Sequence, residues 1–245
     1  MDTLLSTGVF NGNNISERAE IAVEKAANHL ADLIVATTSI QETCRIAISG
    51  GQSIQQTLTC LARLSVPWRH VAVYIADERC VTPGDKLRND KMIQNALVTP
   101  AGIPAERFFN IHSELGGALA AMEYRKVLAN ISHFDIALLG VGPDGHIGSL
   151  FPNHPSIAST ELALSITDSP KPPSNRVSLG IGMLQRSTHR IVVVVGDEKS
   201  GLIARINDGA RSPVTIFDPT NWFLDAAAVS KVLKHELTIE KGPFN

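Results

Sequence analysis

Short apolar runs that alternate with amphipathic stretches constrain the fold of this chain more than any other feature of its sequence. Four runs rich in Val, Ile and Leu are predicted as β-strands, namely CRIAI (44–48), VAVYI (71–75), FDIALL (134–139) and IVVVV (191–195). Runs of this kind are typical of strands that are covered on both faces. Apolar residues at helical spacing follow or precede them, for example over 118–131 and 200–206. The alternation indicates βαβ units and a largely parallel sheet.

These patterns predict an α/β fold with helices on both faces of a mostly parallel sheet. Apolar residues step by three or four from Ile15 to Leu33, so a first helix is expected there, with Asn13 or Asn14 as its N-cap. The sequence shows no internal repeat and no linker, and the proline-rich piece from Ser169 to Asn175 reads as a loop. We therefore expect one domain over residues 1–245.

Charge and composition exclude several classes of function. The chain has 22 Lys and Arg against 24 Asp and Glu, a net charge of −2, so a basic nucleic-acid-binding face is not expected. No apolar run approaches the ~18 residues of a membrane span. Three cysteines without C-x-x-C spacing argue against disulfides and thiolate metal sites. The N-terminal stretch lacks the basic residues of a secretory signal, and a cytoplasmic protein is expected.

The turn after the first predicted strand, Ser49-Gly50-Gly51-Gln52-Ser53, is suited to an anion. Glycines and hydroxyls there precede a helix, whose free N–H groups and dipole favour phosphate. The turn lacks the P-loop sequence, so ATP is not indicated. Gln55 stands where a serine nucleophile elbow needs its second glycine, which argues against a serine hydrolase. An ordinary strand–helix turn is the alternative.

The loop after FDIALL, Gly140 to His146, matches G-x-G-x-x-G, and Glu161 lies near the spacing of a ribose-binding acid. Pro143 and Asp144 nevertheless place a kink and a negative charge where a pyrophosphate would lie. Two further prolines, at 152 and 155, interrupt the helix that should follow. A dinucleotide cofactor is therefore not predicted.

His146 is the candidate general base, because it lies just beyond a strand end and imidazole exchanges protons near neutral pH. A structural histidine is the alternative. His146 and His154 are eight residues apart without an H-E-x-x-H motif, so no metal site is predicted.

Three cations follow other predicted strand ends: Arg79 after Asp77 and Glu78, then Arg176, and then Lys199. Each could be a solvated surface charge. Ligands of open parallel sheets bind at the carboxyl ends of strands. If these three cations lie close together at that edge of the sheet, they form an anion site.

At these residues the chain resembles the 6-phosphogluconolactonase family. The resemblance rests on FDIALLGVGPDGHIGSLFPNHP, with support from ISGG, ADERCV with Asn89 further on, SPKPPSNRVSL, VVVGDEK and WFLDAAA. It implies a Rossmann-like α/β sandwich of the kind found in sugar-phosphate isomerases and glucosamine-6-phosphate deaminases. It also implies hydrolysis of 6-phospho-D-glucono-1,5-lactone in the oxidative pentose phosphate pathway. No cofactor, no metal and no obligatory protein partner are implied.

The resemblance also suggests roles for individual residues. His146 would act on the attacking water, and Asp77 or Asp144 would orient the imidazole or the water. We favour Asp77 as the catalytic carboxylate and interpret Asp144 as a turn former. The cations Arg79, Arg176 and Lys199 would hold the phosphate together with the 50–53 amides. Asp144 and Gly145 count among the residues expected to line the substrate site, with Ser49, Gly50, Gly51, Gln52 and Ser53.

The chain departs from the family pattern at Gln52-Ser53-Ile54, at Arg88 and at Ile147-Gly148.

Two other functions remain open. A deaminase or isomerase would use the same scaffold, although the segment after its DGH-type loop differs from SLFP. A non-catalytic sugar-phosphate sensor normally carries a DNA-binding domain, for which the stretch up to Asn14 is expected to leave no room.

Overall fold

A seven-stranded parallel sheet forms the centre of the protein, whose computed structural model describes Phe10 and residues 13–232. The ten strands are β1 (Asn13–Ser16), β2 (Cys44–Ile48), β3 (Val71–Ile75), β4 (Asp77–Arg79), β5 (Phe108–Phe109), β6 (Ile136–Gly140), β7 (Ala163–Ile166), β8 (Arg176–Leu179), β9 (His189–Val194) and β10 (Asn221–Asp225). The large sheet has the order β1-β10-β9-β6-β2-β3-β5. Strands β4, β8 and β7 form a small antiparallel sheet.

Eight α-helices whose bounds lie within the described residues flank these sheets. They are α1 (Ala19–Ile40), α2 (Gln52–Leu61), α3 (Asn89–Ile93), α4 (Thr99–Ala101), α5 (Gly117–Leu128), α6 (Ile181–Gln185), α7 (Ser200–Asn207) and α8 (Pro213–Phe217). A π-helical turn, Gln94–Val98, joins α3 to α4. Helices α1 and α2 pack on each other, whereas α5 packs on β7 and β8.

The predicted α/β fold with a mostly parallel sheet is confirmed. β2 and β3 have the predicted bounds, and β6 and β9 differ from their predicted bounds by one or two residues. Their apolar side chains are buried, as continuous apolar runs require. The 118–131 and 200–206 predictions correspond to α5 and α7.

The start of the first helix was predicted wrongly. Asn13–Ser16 is strand β1, and α1 begins only at Ala19. The short polar segment becomes a strand because it pairs with β10, which lies about 200 residues away along the chain. Such a distant partner outweighs the local helical spacing of Ile15.

The strand order changes direction between β2 and β6. From β2 the chain continues outward through β3, whereas from β6 it continues the other way through β9 and β10. The two loops that leave β2 and β6 therefore separate and open a crevice at the carboxyl edge of the sheet, which is where ligands of open α/β sheets bind. The Gly50 turn and the His146 loop are these two loops.

Candidate functional site

A cavity of about 570 Å³ lies at this strand-order reversal. The structure brings ten of the twelve predicted site residues onto its wall: Ser49, Gly50, Gly51, Gln52, Ser53, Asp77, Arg79, His146, Arg176 and Lys199. Asp144 and Gly145 were expected there and do not line it. Asp144 lies behind the imidazole, and Gly145 packs against Ser212 and Leu202.

The turn after β2 is tied to the turn after β6. The buried Ser49 hydroxyl accepts a hydrogen bond from the Gly140 N–H at 3.0 Å, so it serves as a bridge between the two loops. Helix α2 begins just after Gly51, and no side chain caps its N-terminus. The first N–H groups of a helix have no intrahelical acceptor. The turn therefore presents N–H donors and a positive dipole end to the cavity.

The loop after β6 holds His146 against Gly142. The Gly142 N–H donates to the His146 carbonyl at 2.9 Å, which closes a tight turn. A Cβ atom at position 142 would lie only 2.0 Å from imidazole atoms, so only glycine leaves room for this ring. Phe151 packs on the other side, with its ring centroid 4.8 Å from that of His146. The imidazole is thus fixed by packing, although its edge still reaches the cavity.

Asp144 is the carboxylate that contacts the imidazole. Its Oδ1 lies 2.5 Å from His146 Nδ1, and a carboxylate can only accept, so Nδ1–H donates; in a neutral imidazole Nε2 is then the nitrogen with the lone pair. Burial alone would raise the pKa of Asp144, but the hydrogen bond and charge of His146 and the charge of Lys171 hold this pKa well below its usual range. Of the two carboxylates that could orient the imidazole or the water, the structure thus places Asp144, and not the favoured Asp77, against the imidazole. Asp144 lies only two residues before the histidine in the same turn.

Asp77 connects other parts of the wall. Its Oδ2 accepts from the Ser149 hydroxyl at 2.7 Å, and its Oδ1 accepts from Asn89 Nδ2 at 3.1 Å. The carboxylate is buried, with 3% of the residue surface exposed. Asp77 therefore fixes the side chains of Ser149 and Asn89 at the cavity wall. Its negative charge also favours the charged form of Arg176.

Arg79 is held by one end of its guanidinium. Nη1 donates to Asn89 Oδ1 at 2.5 Å and to the Leu87 carbonyl at 2.6 Å. Nε is buried without a partner among the residues that the structure describes. A guanidinium with unused donors at a cavity wall is suited to a phosphate or carboxylate.

Arg176 lines the cavity, but most of its donors bind the proline-rich loop. Nε donates to the Pro173 carbonyl at 3.1 Å, and Nη2 donates to the carbonyls of Lys171 and Pro172 at 3.0 and 3.3 Å. The guanidinium carbon lies 5.5 Å from the centroid of the Phe151 ring. Burial lowers the pKa of Arg176. Arg176 Nη1 also donates to the Ser149 hydroxyl oxygen at 3.4 Å. Arg176 therefore shapes this loop, and the second N–H of Nη1 is the donor left for a ligand.

Lys171, which was not among the predicted site residues, is brought into the site by this loop. Its Nζ lies 3.3 Å from His146 Nδ1 and 3.4 Å from Asp144 Oδ1. Lys199 also lines the cavity, and burial together with the positive charge of Lys171 lowers its pKa despite the nearby charge of Glu198. The cations therefore form two groups at the cavity, one of arginines and one of lysines.

Asn89 also lines the cavity without having been predicted as a site residue, although it is one of the residues on which the resemblance rests. Its side chain lines the cavity and contacts Asp77 and Arg79. Neither Asn89 nor Lys171 directly follows a strand of the large sheet. A search for site residues at the carboxyl ends of predicted strands therefore does not identify them. The proline cluster around Lys171 was the available signal.

No group of three potential metal-ligating side chains occurs within the described part of the chain. The same residues include no helix that is long and apolar enough to cross a membrane. Cys44, Cys60 and Cys80 are all unpaired.

Comparison with known proteins adds to this geometry. The model of the family described as glucosamine-6-phosphate isomerases/6-phosphogluconolactonase matches residues 17–228. A 6-phosphogluconolactonase of Mycobacterium tuberculosis is 32% identical over 236 residues, covering 87% of this chain and 95% of the relative. A probable 6-phosphogluconolactonase 2 of Arabidopsis thaliana is 32% identical, covering 91% of this chain and 94% of the relative.

Solved structures show the same fold at lower identity. The 6-phosphogluconolactonase of Thermotoga maritima has a TM-score of 0.82 at 22% identity, covering 88% of this chain and 99% of that chain. A monomeric glucosamine-6-phosphate deaminase has a TM-score of 0.78 at 17% identity, covering 89% of this chain and 99% of that chain.

Proposed function

Because the chain belongs to the family of glucosamine-6-phosphate isomerases and 6-phosphogluconolactonases, we propose that it hydrolyses 6-phospho-D-glucono-1,5-lactone to 6-phospho-D-gluconate. This is a step of the oxidative pentose phosphate pathway. The observation that carries the proposal is the hydrogen bond of His146 to Asp144 at a cavity lined by cations. The relatives with about a third of their residues identical are named as lactonases, which favours this reaction over deamination.

The proton chemistry follows from the orientation of His146. With Nδ1–H bound to Asp144, Nε2 accepts a proton from a water molecule as its oxygen forms a bond to the lactone carbonyl carbon. The tetrahedral adduct then collapses, the bond from that carbon to the ring oxygen breaks, and Nε2 returns the proton to the departing oxygen. The ionised Asp144 stabilises the imidazolium between the two steps.

The cations anchor the substrate for this attack. Arg79, Lys199 and Arg176, through its Nη1, hold the phosphate together with the N–H groups of Gly50 to Ser53. Holding the phosphate places the carbonyl beside His146 and removes the entropy cost of bringing the reactants together. Lys171 adds a cation at the His146 end of the cavity.

We expect Lys199→Met to raise KM about 10- to 100-fold and to change kcat little, because a charge-assisted hydrogen bond to phosphate is lost from a partly buried position. Steady-state kinetics with the lactone measures the effect. Lys126→Met is the matched control, since Lys126 is 65% exposed on α5. A KM equal to that of the wild type would remove Lys199 from the phosphate site.

The reaction itself is tested by offering two substrates separately. Fresh lactone is followed by acid release, and glucosamine 6-phosphate is followed by ammonia release. We expect acid release alone. Ammonia release would instead identify a deaminase, and the absence of both products with retained binding would favour a sugar-phosphate sensor.

We also propose that the protein works in the cytoplasm, because its three unpaired cysteines fit a reducing compartment. The small sugar-phosphate lactone is its proposed partner, with no nucleic acid or membrane involved.

A further inference from the structure

Glu78 is a buried carboxylate on the side of β4 that faces away from the cavity. Its neighbours in the strand, Asp77 and Arg79, line the cavity, whereas Glu78 has no exposed surface. Its Oε1 accepts from the N–H groups of Arg79 and Asn89, both at 2.8 Å, and its Oε2 accepts from the Asp90 N–H at 2.7 Å. The carboxylate thus joins β4 to the start of α3.

Burial works against the negative charge of this carboxylate. Burial raises the pKa of Glu78 to about 7, even though the three backbone N–H groups lower it. No Lys, Arg or His forms an ion pair with Glu78 within the described residues. A buried charge that forms no direct ion pair costs free energy, and the three N–H groups and the electrostatic interaction with Arg88 offset part of that cost.

The backbone that Glu78 holds carries two side chains of the site. Asn89 donates from Nδ2 to the Asp77 carbonyl at 2.7 Å and accepts from Arg79 Nη1. It also packs on Gly50, where a Cβ would lie 1.9 Å from its Oδ1. A shift of the Asn89 backbone would therefore move the guanidinium of Arg79 and the anion-binding turn together.

We propose that Glu78 is a positioning residue of the anion site, and that its negative charge, acting through the backbone of Asn89 and Arg79, sets both side chains against the substrate phosphate. This role rests on the proposed function, because it assigns the phosphate to Arg79. Glu78 touches no substrate itself.

Charged and titratable groups lie on each side of Glu78. Asp90 and Arg88 interact with it from the start of α3, and Cys80 follows in the chain after β4. Asp77 and Arg79 face the cavity on the opposite side of the strand. Since protonation removes acceptor capacity from the carboxylate, we expect the site to loosen as the pH falls through about 7.

Binding of inorganic phosphate to the whole protein, measured by calorimetry at pH 8 and at pH 6, tests this role without requiring turnover. We expect Glu78→Gln to raise the Kd for phosphate about 10-fold at pH 8. The ratio of the Kd of Glu78→Gln to the Kd of the wild type should approach one at pH 6, where Glu78 of the wild type is also protonated. The ratio cancels the titration of phosphate itself. With the lactone, the variant should raise KM more than it lowers kcat.

Asp135→Asn is the matched control. Asp135 is also a buried carboxylate that accepts from a backbone N–H, that of Arg45, at 2.7 Å, but it precedes β6 at the opposite edge of the sheet. We expect its Kd for phosphate to equal that of the wild type. The same weakening in Asp135→Asn would mean that any buried carboxylate has this effect, which would overturn the specific role.

Glu78→Asp keeps the charge on a shorter stem and carries the test if Glu78→Gln does not fold. The shorter side chain cannot keep the wild-type hydrogen bonds to the Asn89 and Asp90 N–H groups. An increase in its Kd at pH 8 therefore supports positioning of the site through these bonds, and a Kd equal to that of the wild type would show that they do not position the site. A Kd ratio for Glu78→Gln that stays constant between pH 8 and pH 6 would show that the charge is irrelevant. A wild type that binds phosphate and hydrolyses no lactone contradicts the proposed function alone.

Discussion

We expect replacement of His146 by alanine to lower kcat for the lactone by about 10²- to 10⁴-fold and to leave KM nearly unchanged. This range is the usual contribution of a positioned general base. KM stays near the wild-type value because the phosphate is held by cations and N–H groups that lie elsewhere on the cavity wall. Initial rates of acid release over a range of lactone concentrations, corrected for spontaneous hydrolysis, separate the two constants.

His133→Gln is the control for this variant. His133 lies just before β6, at the opposite end of that strand from His146, and its side chain is 47% exposed. Its removal should leave both constants unchanged. If His146→Ala turned the lactone over as fast as the wild type, His146 would not be the base.

Asp144→Asn should lower kcat about 10²-fold or more, with a smaller change in KM. The amide has nearly the shape of the carboxylate, but it cannot stabilise the imidazolium, and its NH₂ group can turn the histidine to the wrong tautomer. The 2.5 Å contact and the low pKa of Asp144 indicate that the wild-type pair is strongly coupled. The pH dependence of kcat and kcat/KM should be measured together with the rates.

Asp77→Asn is the informative comparison, because Asp77 is also a carboxylate of the site but contacts Ser149 and Asn89 instead of the imidazole. We expect it to retain more of the wild-type kcat than Asp144→Asn. The opposite order would restore Asp77 as the catalytic carboxylate.

The central strands were predictable because their signal is local. β2, β3, β6 and β9 are continuous apolar runs, and burial on both faces of a sheet demands that pattern. No strand was predicted at β4, whose sequence, DER, is polar throughout. It is a strand only because it pairs with β8, about a hundred residues later. Pairing of this kind leaves no periodicity within the segment itself.

The candidate site also contains residues that a local sequence signal predicted and residues that only distant contacts bring into place. Residues at the ends of predicted strands, such as Gly50 and His146, were found because the topology of a parallel sheet brings strand ends together. Lys171 was missed because Arg176 draws its loop into the site through backbone carbonyls. The sequence could not decide between Asp77 and Asp144 as the carboxylate beside His146, because an aspartate two residues before the histidine is equally typical of a turn.

The close packing of Asn89 on Gly50 links the evolution of two positions 39 residues apart. Any side chain at position 50 would overlap the Asn89 amide, and a smaller residue at 89 would release Arg79. Neither position can therefore change first without loss, so substitutions at the two should appear together or not at all. Among related sequences, a residue other than glycine at 50 should be accompanied by a smaller residue at 89.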